Sequence, residues 1–249
     1  MKATKDIDHR RLNIAFFVAG LFVGLAWIVF AFSVYFRSEF GLPGIQPGNV
    51  SAWYGIFLSP FLHGDLSHIF SNTLPAFLLI TLLIYSHRGI AFMVGGLIIL
   101  ITGILVWFIG ENGSNHIGAS GLIYGLSAFL FFSGIIRWDK QLLFISATIL
   151  FLYGSMIWGV LPLQPGVSWE GHLSGAISGT ALAFLLRNKG PQRIVEEELS
   201  EDDKMNPDDF EIFIRAHVRE TSSPADPHYH QNPHQQKKYT HNGTHKRIT

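Results

Sequence analysis

The chain has 249 residues, of which 48% are hydrophobic and only 14% are charged, whereas soluble proteins carry roughly 25% charged residues. Its formal net charge is zero, which gives no indication of nucleic-acid binding, and the lack of cysteine excludes disulfides, thiol nucleophiles and thiolate metal sites. Only 9 charged residues lie within residues 13–186, while 27 crowd into the other 75 residues. This distribution excludes a soluble enzyme, a secreted disulfide module and a disordered chain, and it predicts an all-α, polytopic membrane domain with a polar tail.

Six apolar segments are predicted to cross the bilayer as helices, for which roughly 20 apolar residues are needed. The predicted spans are residues 12–36, 66–85, 90–110, 120–136, 142–161 and 172–186. A signal peptide is the competing interpretation of the first segment, but its apolar core is too long and no small-residue cleavage site follows. Basic residues concentrate in the segments that would share a side with the N-terminus, which predicts that both termini are cytoplasmic.

Three parts are expected along the chain. Residues 1–12 form a cytoplasmic N-terminal segment, residues 13–189 a six-helix membrane domain, and residues 190–249 a polar, largely disordered cytoplasmic tail. Residues 210–218 fit a strand and a helix equally well. The tail histidines indicate metal binding only weakly, and a solvated low-complexity end is the favoured interpretation. These histidines are His217, His228, His230, His234, His241 and His245.

Polar side chains occur at the start of the second, fourth and sixth spans, all of which run from outside to inside. The fourth and sixth spans have 17 and 15 residues, or about 25 and 22 Å at 1.5 Å per residue, so their outer ends should begin below the membrane surface. Polar groups at that depth are costly and indicate a functional site. The residues expected to meet there are Ser120, His172, His68 and Asn72.

The chemistry of this set predicts nucleophilic catalysis. A serine hydroxyl becomes a good nucleophile when a neutral imidazole takes its proton, which assigns Ser120 and His172 to these two roles. His68 and Asn72 are four residues apart, hence on one helical face, and both could donate hydrogen bonds to an oxyanion together with a backbone N–H at the start of the fourth span. A purely structural role of His68 and Asn72, bonding across helices, is the alternative.

Small residues line one face of the fourth span and one face of the sixth. Such faces let transmembrane backbones pack closely, which would bring Ser120 and His172 within hydrogen-bond reach. Tyr124, one turn below Ser120, is then expected to stack on the His172 ring. A Gly-x-Ser-Gly sequence alone is more often a packing feature, and the glycine faces are structural under either interpretation. The glycines concerned are Gly118, Gly121, Gly125, Gly175 and Gly179.

Over about residues 53–186 the chain resembles the rhomboid intramembrane serine proteases, in particular the bacterial six-helix type. The resemblance rests on three motifs that occur in order on the predicted spans. They are Phe61-Leu62-His63-Gly64-Asp65-Leu66-Ser67-His68 running into His68-x-x-x-Asn72, Gly118-Ala119-Ser120-Gly121 with Tyr124, and His172-x-x-Gly175-x-x-x-Gly179. Two departures from the family pattern are Gly171, where alanine is frequent, and a first outer loop without a recognisable Trp-Arg pair.

The resemblance implies an endopeptidase that hydrolyses transmembrane or juxtamembrane segments of other membrane proteins. Ser120 would be the nucleophile, His172 the general base, and His68 and Asn72 oxyanion donors, while the fifth span and the loop at 161–169 would gate substrate access. The expected location is the plasma or inner membrane, and the expected partners are the lipid bilayer and membrane-anchored protein substrates. Neither a metal, an organic cofactor nor a nucleic acid is expected.

Two rival functions stay open at this stage. One is a catalytically inactive relative that binds membrane segments in the same fold, and the other is a small transporter whose polar groups line a path. The absence of ionisable groups from the inner halves of the predicted spans disfavours the transporter. Two individual roles are also open: His63 caps the loop or lines the site, and Glu170 is a solvated loop acid or biases His172.

Overall fold

The computed structural model describes residues 2–36, 43–138, 140, 142–144, 147–148, 159–162 and 166–189. The helices with described bounds are α1 (Lys2–Tyr35), α2 (Gly55–Leu58), α3 (Leu66–Ser86), α4 (Ala91–Ile109), α5 (Ser120–Arg137) and α6 (Trp169–Leu185). Two 3₁₀ turns, Val50–Ala52 and Ser59–Phe61, flank the short α2. The described part of the chain is therefore mostly helical.

Among the described residues, four helices are long and apolar enough to cross a membrane: residues His9–Tyr35 of α1, and α3, α4 and α5. Much of their apolar surface faces outward, as at Phe17 and Ile28 of α1, which are 71% and 67% exposed. Such exposure suits lipid rather than water. The chain is a multi-pass membrane protein.

The predicted spans agree with the helices α1, α3, α4 and α5, although α1 extends back to Lys2 through the basic N-terminal segment. The sixth span is predicted to start at His172, but α6 begins at Trp169 because the Ser168 hydroxyl accepts the Gly171 N–H and caps the helix. The predicted fifth span, 142–161, lies largely outside the described residues. Within this span, residues 142–144, 147 and 148 are described as helical. The tail at 190–249, with its six histidines, lies wholly outside them.

Helix α5 is at the centre of the described bundle. It makes its most extensive contact with α6 and also packs on α3 and α4, while α1 packs on α3 and α4 on α6. Fully buried side chains from α3, α4 and α5 fill the space between these helices, among them Leu79, Ile98, Leu126 and Phe129. Because lipid is as apolar as these side chains, close packing rather than transfer from water holds such helices together.

Glycines bring the backbones of α5 and α6 into direct contact. A Cβ on Gly175 would overlap the carbonyl oxygen of Gly121, and a Cβ on Gly179 would overlap that of Gly125. No side chain separates the two helices at these points. The close approach places the N-terminal ends of α5 and α6 side by side.

The segment between α1 and α3 holds the start of α5 in place. Ile45 and His116 exchange two backbone hydrogen bonds, each 2.9 Å long, and the Gly118 N–H donates to the Ser59 carbonyl at 2.9 Å. Gly118 has a φ of 110°, a conformation that glycine adopts readily and other residues rarely. The chain thus turns sharply just before Ser120.

Candidate active site

A cavity of about 730 Å³, lined by both polar and apolar groups, lies where α3, α5 and α6 begin. Three sequence-distant segments contribute to its wall, and every catalytic candidate from the sequence is on it. These residues are Ser120, His172, His68, Asn72 and Tyr124. The cavity is large enough for several water molecules and for a peptide segment.

His172 is held by two contacts that fix its ring. Its Nδ1 lies 2.8 Å from the Gly159 carbonyl oxygen, and because a carbonyl can only accept, Nδ1 carries the proton. The Tyr124 ring stacks on the imidazole with centroids 4.1 Å apart and an angle of 10° between the planes. The other nitrogen, Nε2, is therefore the unprotonated one in the neutral ring and has the lone pair that a general base requires.

Ser120 is the first residue of α5 and is half-buried at the cavity wall. Backbone N–H groups in the first turn of a helix have no carbonyl partner within the helix. At the start of α5 they are therefore hydrogen-bond donors beside the cavity. No hydrogen bond joins Ser120 to His172 in the described structure, although the predicted packing implies one. Catalytic hydrogen bonds are frequently long in ligand-free sites and tighten when substrate binds.

His68 and Asn72 lie beside the peptide that precedes Ser120. A Cβ on Gly118 would crowd the His68 ring, at 2.5 Å from Nε2, and would lie 3.6 Å from Asn72 Nδ2. Asp65 caps α3 by accepting the His68 N–H at 2.9 Å, which fixes the first turn that carries both side chains. The buried Asn72 Nδ2 has no acceptor among the described residues, so its N–H groups are available to a ligand.

His63 is not part of the cavity wall. Its ring is 7% exposed and packs edge-on against His68, with centroids 5.0 Å apart. Burial lowers the pKa of His63 to about 4, and the neighbouring His68 acts in the same direction. His63 is therefore neutral at physiological pH and supports the position of His68.

Comparison with known proteins identifies the fold. The Rhomboid domain family matches residues 50–189, more than half of the chain. The chain belongs to the rhomboid family. It is also 34% identical over 183 residues to uncharacterized proteins of Mycobacterium tuberculosis H37Rv and Mycobacterium bovis, an alignment that covers 69% of this chain and 74% of each relative. An uncharacterized protein of Mycobacterium leprae is 34% identical over the same share of this chain and 70% of its own length.

Sequence reasoning missed three residues of this rhomboid site. Gly159 supplies the carbonyl partner of His172, and no local sequence signal distinguishes it from other loop glycines. Ser168 caps α6; a serine shortly before an acidic residue, Glu170, is a typical helix start and could have been recognised. His116 lies 2.7 Å from Ser168 through a contact between distant segments.

The described part of this rhomboid contains no group of three or more histidine, cysteine or acidic side chains placed to hold a metal ion. The candidate site consists instead of hydroxyl, imidazole and amide groups around one cavity. That set matches acyl transfer, in which a hydroxyl attacks a carbonyl and neutral donors stabilise the resulting oxyanion.

Proposed function

We propose that this rhomboid family member is an intramembrane serine endopeptidase with a Ser120–His172 dyad. It cleaves transmembrane or juxtamembrane segments of membrane-anchored proteins near the outer face of the plasma or inner membrane. The observation that carries the proposal is the orientation of His172: its Nδ1–H bond to Gly159 leaves Nε2 as a base on the same cavity wall as the Ser120 hydroxyl.

The proposed reaction follows acyl-transfer chemistry. The Ser120 Oγ attacks the scissile carbonyl carbon while its proton passes to His172 Nε2, and the carbonyl oxygen becomes an oxyanion. The Ser120 backbone N–H, His68 and Asn72 donate to that oxyanion. The C–N bond then breaks as His172 gives its proton to the leaving amine. Water, deprotonated by His172, attacks the ester carbon; the bond to Ser120 Oγ breaks, the second fragment leaves with a new carboxyl group, and His172 returns its proton to Oγ.

The proposed topology has six membrane-spanning helices, with the fifth near residues 142–161 and α6 as the sixth. Both termini lie in the cytoplasm, because the basic residues then fall on the inner side. α6 has 17 residues, about 26 Å, which is shorter than a hydrocarbon core of about 30 Å. A cavity opened at its N-terminal end would therefore admit water below the level of the headgroups.

The test is cleavage of a model transmembrane substrate by the purified protein in proteoliposomes, with the new termini mapped by mass spectrometry. Ser120→Ala and His172→Ala are each expected to lower kcat by on the order of a million-fold, as found when a nucleophile or its base is removed from serine proteases. A serine-directed fluorophosphonate probe should label the wild type and spare Ser120→Ala.

Two results would refute the proposal. If the wild type and Ser120→Ala label equally poorly while the substrate still binds, the protein is a binding member of the family. If cleavage survives His172→Ala undiminished, the base assignment is wrong.

A further inference from the structure

His116 joins two loops that precede the functional helices, although the proposed mechanism gives it no role. Its backbone is fixed to Ile45 by two hydrogen bonds of 2.9 Å, and its side chain is only 9% exposed. Imidazole Nδ1 lies 2.7 Å from Ser168 Oγ, and Nε2 lies 2.8 Å from Ser114 Oγ. A buried imidazole with both nitrogens engaged is fixed in one orientation.

The direction of each hydrogen bond follows from the number of available donors. The Ser114 hydroxyl donates to the Glu111 carbonyl at 2.6 Å, so it can only accept from His116 Nε2–H. At the other end, Ser168 Oγ accepts the Gly171 N–H at 3.2 Å, and its own O–H donates to Nδ1. Every donor and acceptor in this series of hydrogen bonds is satisfied when His116 is neutral and protonated on Nε2.

Burial favours that neutral form. Because desolvation disfavours the charged imidazolium, it lowers the pKa of His116 below the ordinary value, and the Glu170 carboxylate only partly opposes this effect. The hydrogen-bond directions and the burial therefore both indicate that the His116 ring is neutral.

At the Ser168 end, the hydrogen-bond series reaches the start of α6, one turn before His172. Ser168 caps the helix, and its carbonyl accepts the His172 N–H at 3.2 Å. At the other end, His116 itself belongs to the loop that leads into α5. Two residues further on, the Gly118 N–H donates to the Ser59 carbonyl, which fixes the loop just before Ser120. One side chain thus links the segment carrying the hydroxyl to the helix carrying the imidazole.

We propose that His116 is a positioning residue, which holds the N-terminus of α6 against the loop before α5 and so sets His172 relative to Ser120. The proposal rests on the protease function proposed above. Close packing of α5 and α6 fixes the distance between their axes, whereas the Ser168–His116 bond fixes the start of α6 along and around its own axis.

Two amide substitutions separate the two ends of the link. An asparagine amide lies near the position of Nδ1, so His116→Asn keeps an acceptor for the Ser168 hydroxyl and loses Ser114. A glutamine amide lies near the position of Nε2, so His116→Gln keeps a donor to Ser114 and loses Ser168. We expect His116→Asn to retain most of the kcat and His116→Gln to lose about 10- to 100-fold, the scale of a misplacement of up to 1 Å, with KM little changed.

A double variant tests whether His116 acts through Ser168. Glycine is an acceptable N-cap residue, so Ser168→Gly removes the hydroxyl with little effect on the cap itself. Each substitution removes the same hydrogen bond between His116 and Ser168. The kcat of the double variant His116→Gln with Ser168→Gly should therefore be no lower than that of the slower single variant. Multiplied losses in the double variant would overturn the coupling.

His87 provides the matched control for lost burial. It too is a buried histidine between two serines, at 2.8 Å from Ser86 and 3.0 Å from Ser133, but it lies at the C-terminal end of α3, away from the cavity. His87→Gln should lower the thermal midpoint and leave the kcat of the folded protein unchanged. An equal kcat loss in His87→Gln, or equal losses in His116→Asn and His116→Gln, would overturn the positioning role.

The two proposals fail in different ways. If the wild type shows no Ser120-dependent labelling or cleavage, the protease function is wrong and the positioning role is wrong with it. If the wild type cleaves and His116→Gln cleaves at the same kcat, the protease function stands and the positioning role is refuted.

Discussion

Replacement of Gly175 by alanine tests the direct contact between α5 and α6. The added methyl group would overlap the Gly121 carbonyl oxygen and would lie 3.0 Å from the Gly121 carbonyl carbon and 3.2 Å from the Gly125 nitrogen. All three neighbours are backbone atoms, which cannot turn aside as a flexible side chain can. The helices must therefore separate.

The magnitude follows from two opposing effects. Overpacking costs about 1–3 kcal/mol, and the contact with backbone places this site at the upper end of that range. Alanine's higher helix propensity offsets about 1 kcal/mol. We expect a net loss of about 2 kcal/mol, and a displacement of His172 of up to about 1 Å that lowers kcat by about 100-fold.

Thermal unfolding in detergent and initial rates on a model substrate measure the two effects. Gly96→Ala is the control, because a Cβ at Gly96 in α4 meets nothing within 4 Å; it should stabilise the protein by up to about 1 kcal/mol. If Gly175→Ala keeps both the midpoint and the kcat of the wild type, the backbone contact does not hold these helices and the reasoning is refuted.

Three further outcomes are expected. Asn72→Ala should lower kcat by about 100- to 1,000-fold with little change in KM, and near-normal turnover would remove Asn72 from the oxyanion assignment. Tyr124→Phe should retain activity in the same assay while Tyr124→Leu loses it, because the stacked ring and not the hydroxyl orients His172. Between pH 6.5 and 4 the unfolded chain takes up a proton at His63 and the folded chain does not, so the free energy of unfolding should decrease as pH falls through this range. Melting curves of His63→Asn should show a weaker pH dependence than those of the wild type.

The membrane helices could be predicted from the sequence because long apolar runs have a single stable form in a bilayer. The starts of α3 and α5, at Leu66 and Ser120, were predicted to the residue, since polar and glycine-rich sequence precedes each. The predicted start of α6 is three residues late, because the apolar run begins after His172 whereas the helix begins at the Ser168 cap. The stacked rings of Tyr124 and His172 are also as the spacing predicts, given close helix packing.

The contacts that orient the site could not be predicted in the same way. Gly159 binds His172 through a backbone carbonyl, a group that every residue has, so nothing in the sequence marks it. The pair of His116 and Ser168 is separated by 52 positions and forms only because α5 and α6 meet. Local patterns indicate elements, whereas such pairings depend on how the elements assemble.

The bond from His172 to Gly159 decides which nitrogen of the ring carries the proton. The ring's proton partner belongs to a stretch 13 positions upstream and not to α6 itself. Without the Gly159 carbonyl, the imidazole would lose the acceptor that selects its Nδ1-protonated tautomer, and only the stacked Tyr124 ring would hold it. The basicity of Nε2 therefore depends on a backbone carbonyl that α6 does not itself supply.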